Sequence, residues 1–217
     1  MDSANKSVQA IEEIKQMMDR GSRFVSLSGW SGIAAGVCAL LTAWLAGNKL
    51  NKYGISGFKS DGYPTGTRLE ELVHELMILA FITFVAAFFF AFLFTWLRSR
   101  KTGVPIWGLM ARKVIFSLAV PMLVGALFIW RMIDLNMYGL IAAACLVFYG
   151  LALVNASKFT LSEVRILGYL QILLGIIALW TPAYGLYLWA AGFGVLHILY
   201  GIIMWQKYER DEKGVAA

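Results

Sequence analysis

The chain of 217 residues is 59% hydrophobic and only 15% charged, with a mean hydropathy of +0.68. Soluble domains hold about 45–50% apolar and about 25% charged residues, so composition excludes an ordinary water-soluble globule and assigns most of the chain to lipid. The formal charge of +6 does not point to nucleic acid: the basic residues gather at the ends of apolar runs, with no Lys/Arg block among aromatics and no zinc-finger spacing.

Residues 1–23 form a polar arm of mixed charge. Ser7 can cap a helix there, with Val8, Ile11, Ile14 and Met18 on one side and Glu12, Glu13, Lys15 and Asp19 elsewhere. Two readings stand, a surface-lying or partner-binding amphipathic helix and a solvated arm packed under the bundle. No small-residue cleavage site closes the first apolar run, where Trp44 stands, so that run is expected to stay as an anchor rather than leave as a signal peptide.

A helical span needs about 20 mainly apolar residues to cross about 30 Å of hydrocarbon. Six stretches qualify: Leu27–Ala46, Leu72–Leu97, Val114–Trp130, Met137–Val154, Ile166–Trp180 and Leu186–Trp205. The expected fold is therefore an all-α integral membrane bundle of six transmembrane helices over residues 24–206, with a tail over 207–217. Thr67 with Glu70 and Thr160 with Glu163 have capping-box spacing at helix starts. Pro105 suits a first helical turn. Pro121 falls inside the third span, where it should kink the helix and leave a carbonyl for a neighbour to satisfy. Trp96, Trp107, Trp130, Trp180, Trp189 and Trp205 crowd the span borders as an interfacial belt.

Lys/Arg placement orients the bundle. With the N-terminus inside, 14 of the 19 basic residues fall on inner segments and five, Lys49, Lys52, Lys59, Arg68 and Arg131, on outer ones. Both termini are thus expected in the cytoplasm. The outer loop, residues 47–66, is rich in glycine and carries Tyr53, Tyr63 and Pro64. A folded cap and a floppy connector are both open for it.

A repeat links the last two spans. The stretch from Gly168 through Gln171 and Ile172 to Gly175 matches the stretch from Gly194 through His197 and Ile198 to Gly201. Gly29, Gly32, Ile33 and Gly36 give a fainter copy in the first span. Positions i, i+3 and i+7 share a helix face. Small residues there allow close helix contact in lipid, where apolar surface alone gives little drive. Gly29, Gly32, Gly36, Gly168, Gly175, Gly194 and Gly201 are therefore expected to pack spans one, five and six together.

Gln171 and His197 each lie 13 residues from Tyr184 in the intervening turn, so an antiparallel hairpin sets them level near mid-membrane. Each is expected to hydrogen-bond the other, an interaction worth about 0.6–2 kcal/mol. A structural Gln–His clasp and a solute or proton site are the two readings, and Tyr200, one turn on, can join either.

Cys38 and Cys145 sit inside apolar runs and read as small hydrophobes. His74 with Glu71 and Glu75 reads as a hydrated helix end, not a metal site. Its depth differs from that of His197 by about 10 Å, which disfavours haem held between the two. No nucleophile–base pair, paired aspartates, metalloprotease helix or nucleotide loop is found in the sequence, so neither catalysis nor a cofactor is expected.

The stretches Phe148–Gly168, Gly192–Gly201 and Ser26–Gly36 resemble an uncharacterised family of multi-span bacterial inner-membrane proteins with no assigned activity. The resemblance implies location and carries no site residues. The reading reached from sequence is a non-catalytic inner-membrane protein. It would meet the lipid bilayer and act by helix-mediated association, as a homo-oligomer or with a membrane partner protein. The alternative is a small permease or channel with His197, Gln171 and Tyr200 lining its path.

Overall fold

A computed structural model describes residues 28–53, 67–102 and 107–210. The amphipathic arm, most of the outer loop, Pro105, the side chain of Thr67 and the end of the tail lie outside the described residues. Every regular element described is helical: α1 (Gly29–Lys52), α2 (Thr67–Thr102), α3 (Leu109–Asp134), α4 (Ile141–Ala156), α5 (Ser162–Trp180), α6 (Gly185–Trp189) and α7 (His197–Tyr208). A π-helical segment, Ala190–Leu196, joins α6 to α7, and the three together make one last span. Six helical stretches are long and apolar enough to cross a membrane.

Two helices outrun the apolar stretches that seed them. α1 continues through Lys52, so residues 47–52 of the expected outer loop are helical, and Lys49 pairs with Glu75 of α2 at 2.7 Å. α2 has 36 residues, which at about 1.5 Å per residue is longer than the hydrocarbon is thick.

Helices adjacent in sequence pack together, apart from α2 and α3, and the first helix also packs against the last span. α2 lies along α1, α1 along the last span, the last span along α5, α5 along α4, and α4 along α3. α2 and α3 are thus the outer helices, and the seam between α5 and the last span is central. Alanines make up much of what is buried, among them Ala39, Ala111, Ala143, Ala144, Ala152, Ala156 and Ala178, beside Leu72, Leu146, Leu153, Leu161, Leu167 and Met204. Large side chains point outward instead, among them Phe81, Phe84, Phe88, Leu127 and Trp180. Water would penalise that distribution heavily, whereas acyl chains solvate it.

Glycines set the two closest contacts, and they pair the helices differently from the expectation. A Cβ at Gly29 would stand 2.5 Å from the Gly201 carbonyl oxygen, and one at Gly36 would stand 2.7 Å from that of Gly194. α1 and α7 therefore run antiparallel at near backbone contact. Gly168 and Gly175 of α5 turn to α4, where a Cβ at Gly168 would meet the Gly150 carbonyl oxygen at 2.9 Å. Spans one, five and six do not form one glycine-sealed trio; the glycines make two pairs, α1 with α7 and α4 with α5.

Ionic contacts tie one end of the bundle. Glu209 Oε1 accepts from the Gly29 amide at 2.6 Å, from Ser28 Oγ at 3.0 Å and from Arg98 Nη1 at 3.2 Å. One carboxylate thus satisfies an orphan amide at the start of α1 and faces the positive end of its dipole. The start of the first span and the end of the last thus lie side by side at one end of the bundle.

The Thr160–Glu163 capping box does not form. Leu161 occupies the N-cap position, and Glu163 accepts from Lys207 Nζ at 2.5 Å and from Tyr208 Oη at 3.1 Å. Two donors across the interface outcompete the local amide, and Thr160 Oγ1 is left buried without a partner among the described residues.

Candidate functional site

Gln171 sits midway along α5 between the two glycines that face α4, and from the adjoining edge of that face its amide reaches the last span. It is fully buried and His197 nearly so. The direct bond expected between them is replaced by a shared acceptor. Gln171 Nε2 donates to the Gly192 carbonyl oxygen at 2.8 Å, and His197 Nδ1 lies 3.0 Å from the same oxygen. Gln171 Nε2 and His197 Nδ1 are 3.5 Å apart, too far for a strong bond.

Geometry assigns the tautomer. A carbonyl oxygen can only accept, so Nδ1 carries the proton, and Nε2 accepts from Tyr149 Oη at 2.9 Å. Tyr149 comes from α4 and enters unforeseen. A signal existed: Tyr149 is a phenol in the middle of an otherwise apolar run, Ile141–Val154, and a hydroxyl at that depth needs a partner. Tyr200 packs instead against the cluster of Leu153, Val164 and Leu167, and no described hydrogen bond joins it to His197.

The backbone supports this convergence. Gly192 lies in the π-helical segment, where an extra residue in the turn shifts carbonyl directions away from the α-helical ladder. Gly192 also has no Cβ, and one there would stand 2.5 Å from Gln171 Oε1. A side chain at 192 would force both the Gln171 amide and Leu146 to shift. The sequence Ala190-Ala191-Gly192-Phe193-Gly194 carries two glycines in three residues, which eases such a change of register.

Aromatic rings wall the cluster. Trp189, Phe193 and His197 succeed one another at four-residue spacing, with ring centroids 5.0 and 5.9 Å apart, and Tyr149 stacks on His197 and lies tilted against Phe193. The rings spend their faces on one another. One polar atom is left over: Gln171 Oε1 is buried and has no hydrogen-bond partner among the described residues. Reversing the amide offers no remedy, because it would set two carbonyl oxygens against each other at Gly192.

The other candidates separate. His74 is exposed, and its neighbour Glu75 is engaged by Lys49. Both ring nitrogens of His197 are hydrogen-bonded, Nδ1 to the Gly192 carbonyl and Nε2 to the Tyr149 hydroxyl. Cys38 and Cys145 are free thiols.

No protein-family model, curated protein or solved structure matches the chain.

Proposed function

We propose that this protein is a small permease of the bacterial inner membrane, with both termini cytoplasmic, that passes its solute along the seam between α5 and the last span. The observation that carries this reading is the unpartnered Gln171 Oε1, fully buried midway along a span. Native interiors seldom leave such an atom unsatisfied without a use for it. It lies beside the one π-helical break described and at the central seam of the helix order. Transporters commonly place solute sites at mid-membrane, beside interruptions of regular helix. The cytoplasmic placement is supported by charge: Arg98, Arg100, Lys101, Arg112, Lys113, Lys158, Arg165, Lys207 and Arg210 all belong to the Ser28 end.

The test is flux through purified protein in liposomes, comparing wild type with His197→Ala and Gln171→Leu across a panel of uncharged and ionic solutes. At least one solute should pass through wild type and be slowed tenfold or more by either change. Equal flux in all three proteins removes the reading.

A second reading, association as a homo-oligomer or accessory subunit, is favoured by α2. Its Phe81, Phe84, Phe88 and Phe92 face outward, and α2 lies chiefly along α1. The glycine faces are used within the chain, so association would rest on these phenylalanines. A purified protein that is monomeric in detergent and in bilayer discs, and captures no partner, eliminates it.

A further inference from the structure

We infer that the solute taken at Gln171 is a small uncharged hydrogen-bond donor and not an ion. This rests on the permease reading above and narrows it. The group on offer is a lone amide oxygen, Gln171 Oε1, so the ligand must supply an N–H or O–H.

Charge excludes the ionic alternatives. The groups around that oxygen are the amide itself, a phenol, a neutral imidazole, the Gly192 carbonyl and hydrocarbon rings. No Asp, Glu, Lys or Arg lies in the described spans at that depth. Glu163 and Glu209 sit at the bundle end, held by Lys207 and Arg98. A cation would reach a single free oxygen with no counter-charge, and an isolated ion at mid-membrane costs several kcal/mol or more. An anion would need several donors or a positive charge, but both imidazole nitrogens and the Tyr149 hydroxyl are engaged, and only the second N–H of the neutral Gln171 amide is left. An organic cation would also lack a counter-charge, and the His197 ring between Tyr149 and Phe193 is stacked with both.

Size follows from close contact at Gly192. Gln171 Oε1 stands 2.5 Å from where a Cβ would be, so α5 and the π-helical segment must part for anything to reach it. Only a molecule of a few heavy atoms, on the scale of urea or glycerol, is admitted by a modest opening there.

Full-length protein in liposomes is tested by stopped-flow light scattering with urea and glycerol. Potential- and ion-sensitive dyes follow potassium, ammonium and chloride in the same vesicles. Wild type should raise urea or glycerol entry at least tenfold over protein-free vesicles and leave all three ion fluxes at background. Gln171→Leu should return entry to background, whereas Asp134→Ala, at an exposed helix end away from the seam, should leave it unchanged. Should Gln171→Leu fail to fold, wild-type selectivity alone decides. Ion flux equal to or above the uncharged flux overturns this inference and leaves the permease reading standing. Absence of both fluxes overturns the two together.

Discussion

Asn155 Nδ2 donates a 2.9 Å hydrogen bond to the carbonyl oxygen of Ser117, the atom that Pro121 strips of its helical partner. Proline has no N–H to offer the residue four places before it, and α3 runs unbroken through Pro121. The neighbour expected from sequence is thus an amide on α4, reaching across the α3–α4 contact. α3 has no glycine-lined face of the kind that joins α4 to α5; a Cβ at its Gly125 would meet the Phe148 side chain rather than backbone. This hydrogen bond therefore carries an unusual share of what holds α3 in place.

The first prediction is a thermodynamic cycle on that pair. Asn155→Leu should lower stability by about 1–2 kcal/mol, since it leaves a buried carbonyl unsatisfied. In a Pro121→Ala background the amide of residue 121 reclaims the Ser117 oxygen, and the same change should cost less than half as much. Reversible unfolding in mixed detergent measures both. Equal costs in the two backgrounds would show that the hydrogen bond serves something other than the proline.

The Pro121 case shows what a sequence can carry: a covalent deficit at a known offset, whose remedy must be polar and near. The six spans were legible for the same reason, because hydrocarbon thickness imposes a length on each apolar run. Helix pairing was not legible. Seven glycines at helical spacing say that backbones meet, but not which ones; α5 chooses α4 because Gly150 is opposite Gly168. The site was half legible. The level placement of Gln171 and His197 follows from equal spacing about Tyr184, whereas the Gly192 carbonyl became their acceptor only through the π-helical turn. No periodicity in side-chain character announces that turn.

The second prediction separates glycines by what stands opposite them. Gly29→Ala and Gly201→Ala each drive a methyl into backbone at 2.5 Å, Gly29 against the Gly201 oxygen and Gly201 against that of Gly29. Backbone cannot swing aside as a side chain can, so each should cost about 2 kcal/mol or more, in the range of overpacked cores. Gly47→Ala meets only Leu186 at 3.7 Å. It should be neutral, or gain up to about 1 kcal/mol from helix propensity. Detergent unfolding midpoints for the three proteins provide the comparison, and a tolerant Gly201→Ala would refute close α1–α7 contact.

A third prediction concerns the clamp at Glu209. Its carboxylate is 14% exposed and Arg98 is 10% exposed, so solvent screens the pair less than an ordinary surface bridge. Glu209→Ala should cost about 2 kcal/mol by stranding the Gly29 amide and removing an ion pair from Arg98. Amide hydrogen exchange at the first turn of α1 should accelerate at least tenfold. Asp134→Ala removes a pair exposed at 47% and 69% and should change stability by less than about 0.5 kcal/mol. Unchanged exchange at the start of α1 in Glu209→Ala would mean that the clamp is incidental.

The last prediction addresses the imidazole directly. Because Gly192 offers only a carbonyl and Tyr149 can donate, His197 should hold its proton on Nδ1, the less common tautomer for a free side chain. Nitrogen-15 spectra of protein labelled at histidine should show one ring nitrogen protonated and one bare, with the protonated one coupled to the carbonyl side of the ring. Tyr149→Phe removes the donor to Nε2 but leaves the Gly192 bond, so the proton should stay on Nδ1 while the Nε2 resonance moves toward that of an unbonded nitrogen. The change should cost about 1 kcal/mol. A proton found on Nε2 in the wild type would require the Gly192 oxygen to face a bare nitrogen, two acceptors at 3.0 Å, and the arrangement around Gln171 would have to be rebuilt.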